Sequence, residues 1–451
     1  MYDPLIDNAT ASGDAYPDSY WTESLKAAPK FPSLQQDESY DVVIIGAGFT
    51  GMACARYLSA NSNLNIALID ANQPGWGCSG RNAGFILPGS GRLDYTSLSA
   101  KYGQAQAATT LDEYYQAIDT LQELKEYAGA QCDVSSGGYL KIGHSQQAFE
   151  RLRSASEQLP DAYKSQYKVV SAEEIRTRFI PDYPSFGGVF RTAGQALNPL
   201  KLSVAIAQRL AKDGIPIYAD SAIEAILANN DGYQLETPQG VLQAKKVVMA
   251  SNAYSLKSLL PGLTEKQFPV LSSVLVTTPL PESIAKQWRA HLMAMDTRSL
   301  KYYFRLLDDN RILFGGRGAV TGADANTQAS QKKLKAAFDR YFPALTTLST
   351  ERFWSGWISV SADDIPHALE SEQHPGIYYA TGYCGSGLSF SCQAGKRLAD
   401  MICKPESALN SPVYQKQIPA FPFSSMRRTG LTLFYAWHRI LEHITMKGGQ
   451  K

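Results

Sequence analysis

The 451-residue chain lacks the marks of a metal or disulfide protein. Its six cysteines, Cys54, Cys78, Cys132, Cys384, Cys392 and Cys403, are scattered and include no CxxC pair. That excludes a zinc ribbon and a disulfide framework. The six histidines form no HExxH and no i, i+4 pair, so no metal is expected. An excess of one charge is missing too: 43 Lys+Arg stand against 42 Asp+Glu. No basic field points to nucleic acid, and no acidic field to a basic partner. Long hydrophobic runs are absent. The longest uncharged apolar stretch, 42–55, is too short to cross a bilayer and holds three glycines. The first residues are acidic and polar, without a basic then apolar leader pattern, and a cytoplasmic location is expected.

What is there is 44% hydrophobic and 19% charged, enough for an ordinary buried core. Residues 1–36 lack periodicity and read as an irregular arm, packed on the body through Tyr16, Tyr20 and Trp21. From Tyr40 onward strand and helix signals alternate. DVVIIGAG reads as a buried strand ending in glycine, TGMACARYLSA as a helix with one small-residue face, and NIALIDA as a second strand. Helices are expected over 104–127, 145–159 and 328–342, and Ser171 with Glu174 forms a capping-box start. GIYYATG and LSFSCQAGKRLADMI read as a last strand and helix. β-rich blocks interrupt this alternation. The fold class is therefore mixed α/β, with a Rossmann-like nucleotide layer interleaved with an antiparallel-sheet domain.

Gly46-Ala47-Gly48-Phe49-Thr50-Gly51 lies between a buried strand and a helix, the context that a GxGxxG turn needs. Gly46 permits the tight turn, Gly48 admits a pyrophosphate to the backbone, and Gly51 lets helix and strand pack closely. The helix end supplies positive partial charge for phosphate. Asp70, ending the second strand, is placed to accept hydrogen bonds from ribose hydroxyls. Three further segments separate a flavin from a nicotinamide. GWGCSGRNAGFI is a second polar glycine-rich loop, ASNAY ends a buried strand, and ATGYCGSGLSFS joins a strand to a helix. The last helix end can face a flavin ring edge and stabilise negative charge on it.

Together these segments resemble the D-amino-acid-oxidase or glycine/sarcosine-oxidase superfamily of FAD oxidoreductases. Within it, GWGCSGRNAGFI, KYYFRLLDDNRILFGGRG, WSGW and the tail after Phe421 resemble the γ-glutamylputrescine oxidoreductase branch. The resemblance implies FAD lined by Gly46, Gly48, Phe49, Thr50, Gly51, Asp70 and Ala71. It adds Gly77, Ser79, Gly80, Arg81, Asn82 and Ala83 from the second loop, Ile223, and Ala250, Ser251 and Asn252. Gly382, Gly385, Ser386, Gly387 and Leu388 complete the set. The FAD domain is expected at 37–125, 186–265 and 350–410, the substrate domain at 126–185 and 266–349, and a tail at 411–451. No cysteine lies between Glu351 and Leu369, where sarcosine oxidases attach FAD, so the cofactor is expected to be non-covalent. Cys78 and Cys384 are the two thiols that could touch it.

The implied reaction passes hydride from an amine carbon to flavin N5. The imine formed is hydrolysed to aldehyde and ammonia, and dioxygen reoxidises the flavin to release peroxide. The expected substrate is γ-glutamylputrescine or a related ω-amine. The alternatives are an amino acid or N-methyl amino acid, and a flavoprotein maturation factor acting on a partner protein. Lys301 is the candidate cation for oxygen reduction. Tyr302, Tyr303, Trp354 and Trp357 are candidate pocket walls, and Arg305, with Arg317, a candidate carboxylate clamp. Asp363-Asp364 reads as a turn. The tail helix, with Arg427, Arg428, Arg439 and Lys447 flanking apolar residues, is expected to dock on the protein itself rather than on a membrane.

Overall fold

The computed structural model describes residues 1–448 except 26, 256, 257, 261, 408 and 416; side chains at 407 and from 439 onward are also outside the description. Arg439 and Lys447 therefore lie outside the described side chains.

Two large sheets organise the chain. The first runs, in spatial order, His367–Glu370, Ile377–Thr381, Gly240–Met249, Glu38–Ile45, Ile66–Ile69 and Ile217–Tyr218. Its centre is parallel, with Val43 opposite both Val247 and Ala67. Such strands are covered on both faces, which is why VVII and IALI read as unbroken apolar runs. The helices Phe49–Asn61 and Leu388–Cys403 pack against one face and against each other. Gly395 permits that approach: a Cβ there would stand 2.2 Å from the Thr50 carbonyl oxygen.

The second sheet runs Thr350–Ser361, Gln267–Thr277, Ile312–Arg317, Tyr303–Leu306, Met293–Asp296, Tyr139–Ile142, Gly188–Arg191 and Tyr167–Val170. All its pairs are antiparallel except Met293–Asp296 with Tyr139–Ile142. One face packs on the helix Gln328–Tyr341 through an aromatic core that includes Phe304, Phe314, Phe338 and Tyr341. The other face turns toward the first sheet's domain.

This topology corrects two expected boundaries. Gly188–Arg191 and Thr350–Ser361 fall inside stretches assigned to the FAD domain, yet both pair in the second sheet. Both are largely buried, and a buried strand's pattern does not reveal which sheet it joins. The Ser171–Glu174 capping box is present in both directions. Asp364 adopts φ +66° in the turn between strands, as the paired acids suggested.

The N-terminal arm is pinned to the body. Tyr16 Oη donates to the Pro74 carbonyl at 2.8 Å, Trp21 Nε1 to the Asn82 carbonyl at 2.9 Å, and Tyr20 Oη to Asp309 at 2.8 Å. The tail forms the helix Arg427–Gly448. Leu431 packs on Phe268, Val270, Ile358 and Cys384, and Tyr435 is buried. Leu433 and Trp437 stay more than half exposed, at 66% and 60%. Among the described residues, no helix is long and apolar enough to cross a membrane, and no cluster of His, Cys, Asp and Glu is arranged to hold a metal ion.

Candidate active site

A cavity of about 520 Å³ runs between the two sheets and takes its walls from both. Its first half is built by the glycine turn. Gly46 has φ +109°, a left-handed region that suits glycine, and a Cβ there would stand 2.9 Å from the Ala250 backbone. A Cβ on Gly51 would lie 1.9 Å from the Gly46 carbonyl oxygen, so only glycine lets this helix start against its strand. Neither the Phe49–Asn61 helix nor the Leu388–Cys403 helix has a capping side chain at its own N-cap, Gly48 or Gly387. Both helix ends open on the cavity.

Asp70 accepts the Ala47 N–H at 2.7 Å and the Asn72 N–H at 2.9 Å. Burial nonetheless pushes its carboxyl up to about 6. Ala71 and Ile223 line the same end. In the second loop, Ser79 Oγ accepts the Phe49 N–H at 3.0 Å and so caps the helix from outside. Arg81 is buried, donates to the carbonyls of Trp76 and Ser355, and lies over the Trp76 ring. Asn82 bonds the carbonyls of Cys78 and Ser79 and the Gly84 N–H, which closes the loop on itself. Gly77, Ala83, Ala250, Ser251 and Asn252 also line the cavity, as do Gly385, Ser386 and Leu388. Gly80 and Gly382 do not. A Cβ on Gly80 would meet the Gly75 carbonyl at 2.3 Å, and Gly382 holds a φ of +82° behind the wall. These glycines, like Gly51, shape the walls.

All six cysteines are free. Cys78 and Cys384 both line the cavity; burial pushes the Cys78 thiol up to about 11 and raises that of Cys384 as well. Cys384 adopts φ +53° and hydrogen-bonds back to the Gly382 carbonyl at 3.2 Å.

The second half of the cavity lies on the face of the second sheet. Lys301 and Tyr303 reach it, with Tyr303 Oη 3.0 Å from Ser272 Oγ. Four expected residues do not. Tyr302 points to the opposite face and stacks on Phe314 at 5.3 Å. Arg305 donates to the Leu197 carbonyl at 3.2 Å and packs over Trp21. Trp354, 1% exposed, donates to the Arg81 carbonyl at 2.8 Å, behind the loop. Trp357 donates to the Tyr2 carbonyl at 2.7 Å and lies under Arg428. These side chains hold loops and arm in place instead of lining the pocket.

Residues not singled out at first replace them. Lys141, Tyr139, Tyr167, Arg191 and Arg92 line this half with Lys301 and Arg317. The alternation in GGYLKIGH puts Tyr139 and Lys141 on one face of a strand, which is the signal that could have found them. Burial, reinforced by Lys141, Arg92 and Arg317, holds the Lys301 ammonium down at about 8. Burial also lowers Lys141 and Arg317. Among the described residues, Arg92 has Asp364 at 3.5 Å, but no carboxylate pairs with Lys141, Lys301 or Arg317. Among the described residues two acids line the cavity: Asp70 in the first half, and Asp94, which caps the Tyr95–Tyr102 helix through the Ser97 N–H.

Comparison with known proteins agrees with this two-part cavity. Residues 41–401 match the model of the DAO family, FAD dependent oxidoreductase. The chain is 26% identical to γ-glutamylputrescine oxidoreductase of Escherichia coli over 389 residues, 85% of this chain and 88% of that one. It is 22% identical to glycine oxidase of Bacillus subtilis, over 85% of this chain and 96% of that one. The crystal structure of glycine oxidase from Geobacillus kaustophilus superposes with TM-score 0.70 at 19% identity, covering 84% of this chain and all of that one. The open helix ends, the Cβ-free turn and the acid at the second strand's end suit FAD, and the chain belongs to the DAO family of FAD-dependent oxidoreductases.

Proposed function

We propose that the protein oxidises the C–N bond of an amine that carries a carboxylate. The observation that carries this reading is the meeting, in one cavity, of a dinucleotide half with a half lined by Lys141, Lys301 and Arg317, none of which has a carboxylate ion-pair partner among the described residues. Gly46, Gly48 and the two open helix ends would hold the pyrophosphate and the ring edge, Asp70 the ribose, and no cysteine would bond to the ring. FAD, when bound, supplies the two-electron acceptor for the carbon beside the amine nitrogen. Lys301 and Arg317 orient the substrate through its carboxylate. Among the described residues no carboxylate ion-pairs with Lys301 or Arg317, and the cations gathered around Lys301 disfavour an ammonium beside them, which favours the neutral amine. With substrate gone, the Lys301 charge favours electron transfer to dioxygen.

γ-Glutamylputrescine, named by the Escherichia coli relative, meets the requirement through its single carboxylate. A second reading, an acidic or N-alkyl amino acid, is favoured by the same lack of acids, since a diamine end finds none. Anaerobic addition of each amine to the yellow holoprotein tests the proposal. Bleaching of the flavin absorbance by a carboxylate-bearing amine, but not by its amide, is the expected result. Purified protein that takes up no FAD, or that no amine bleaches, refutes it.

A further inference from the structure

The cations of the second sheet stand in two groups, and the strand register fixes their places. Tyr303 pairs with Gly315 in an antiparallel ladder. Lys301 lies two residues before Tyr303 and Arg317 two residues after Gly315; continuing the ladder past its last pair brings them together on the face that Tyr303 presents, and the Arg317 charge acts on Lys301. Tyr303 also pairs with Met295, and Met295 with Lys141. Lys141 thus stands two strands from Tyr303 on that face, about 10 Å across the sheet, with Lys301 two residues further along. Arg191 pairs with Tyr139, the alternate residue before Lys141, and joins it. All four cations line the cavity.

In the second group, too, no carboxylate stands at ion-pair distance among the described residues, although the Asp94 charge favours the Lys141 ammonium. Arg191 is 4% exposed and donates to Gln166 Oε1 at 3.0 Å and to the Ala193 carbonyl. Its Nε is buried and has no hydrogen-bond partner among the described residues. Lys141 has no carboxylate partner among the described residues. Buried cations without counter-charge are costly, and one cluster could be satisfied by one carboxylate. Counted on this register, the Lys141 Cα lies about 12 Å and the Arg191 Cα about 20 Å from that of Lys301, so a single carboxylate at Lys301 and Arg317 does not reach Arg191.

We propose that the substrate is an amine with two anionic groups, one seated at Lys301 and Arg317 and the other at Lys141 and Arg191. The inference rests on the amine-oxidation reading and narrows its substrate class to amino-dicarboxylates. It ranks them above γ-glutamylputrescine, which brings one carboxylate and an ammonium at its far end.

The test uses FAD-loaded full-length protein and paired N-alkyl glycines of equal length, ending in either a carboxylate or a methyl group. The carboxylate-ended member should show kcat/KM at least about tenfold higher, the scale of one charge-assisted hydrogen bond. Lys141→Met should cut that ratio by about tenfold, and Lys141→Arg, which keeps the charge, should hold it. Equal kcat/KM for the pair overturns the proposal, as does a ratio unmoved by Lys141→Met. Anaerobic bleaching by the methyl-ended member without any preference for its partner would leave amine oxidation standing and sink only the second anionic subsite. Bleaching by neither would remove both.

Discussion

At the scale of single residues, two titrating groups report on the two halves of the cavity. Asp70 is raised to about 6 because its carboxylate is partly cut off from water. Its value as a ribose acceptor depends on ionisation. FAD affinity is therefore expected to weaken as pH falls through about 6, and Asp70→Asn to bind FAD more weakly at pH 8 with that step gone; fluorescence titration reads both. Lys301 behaves in the opposite sense. It is charged below about 8 and loses its proton above, so kcat/KM for a carboxylate-bearing amine should fall as pH rises through that value. Lys301→Met should flatten this limb and slow flavin reoxidation by dioxygen by roughly 10²-fold in stopped flow. The glycine turn and Asp70 were legible in sequence because backbone geometry restricts which residues they accept. Tyr302 and Tyr303 were not separable, since neighbours on a strand face opposite ways and no single sequence says which way the first one points. Trp354 and Trp357 misled for a related reason: a large aromatic packs a core as readily as a pocket.

Elements carry their own constraint, seen best where two helices cross. Gly395 brings the Leu388–Cys403 helix onto the Phe49–Asn61 helix, and both start at the cavity. Gly395→Val places carbon 2.2 Å from the Thr50 carbonyl oxygen and 2.7 Å from Ala53 Cβ. Separating the helices should cost at least about 1–3 kcal/mol and displace both phosphate-facing ends together. A lowered melting temperature with weakened FAD retention is the expected outcome, read by thermal unfolding of apo and holo protein. An unchanged FAD affinity would show that the crossing does not set the site. The βαβ order was readable because short unbroken apolar runs such as VVII and IALI alternate with longer helical segments. The sheet membership of Gly188–Arg191 and Thr350–Ser361 was not, because pairing partners lie far away in sequence and leave no local mark.

Over the whole molecule, the arm and the tail close around the site from both ends of the described chain. Arg428 bonds Asp3 at 2.5 Å and lies over Trp357, whose indole donates to Tyr2. Leu431 covers Phe268, Val270, Ile358 and Cys384. Truncation after Pro422 should uncover this apolar patch, raise binding of a hydrophobic dye and lower kcat/KM. Flotation on anionic liposomes should be the same with and without the tail. Flotation by the full chain alone would assign the exposed Leu433 and Trp437 to a membrane surface instead. The near-even charge foretold none of this, because the cations that matter are few, buried and gathered by folding from distant strands.

The interleaving of the two sheets has a consequence during synthesis. Asp70 and the glycine turn leave the ribosome early, whereas the Gly385 loop and the Leu388–Cys403 helix emerge near the end. A nascent chain therefore holds half a cofactor site for most of its translation. FAD can act as a clasp only once the Leu388–Cys403 helix has emerged, and cells short of flavin should accumulate apoprotein that already carries this helix rather than shorter stalled fragments.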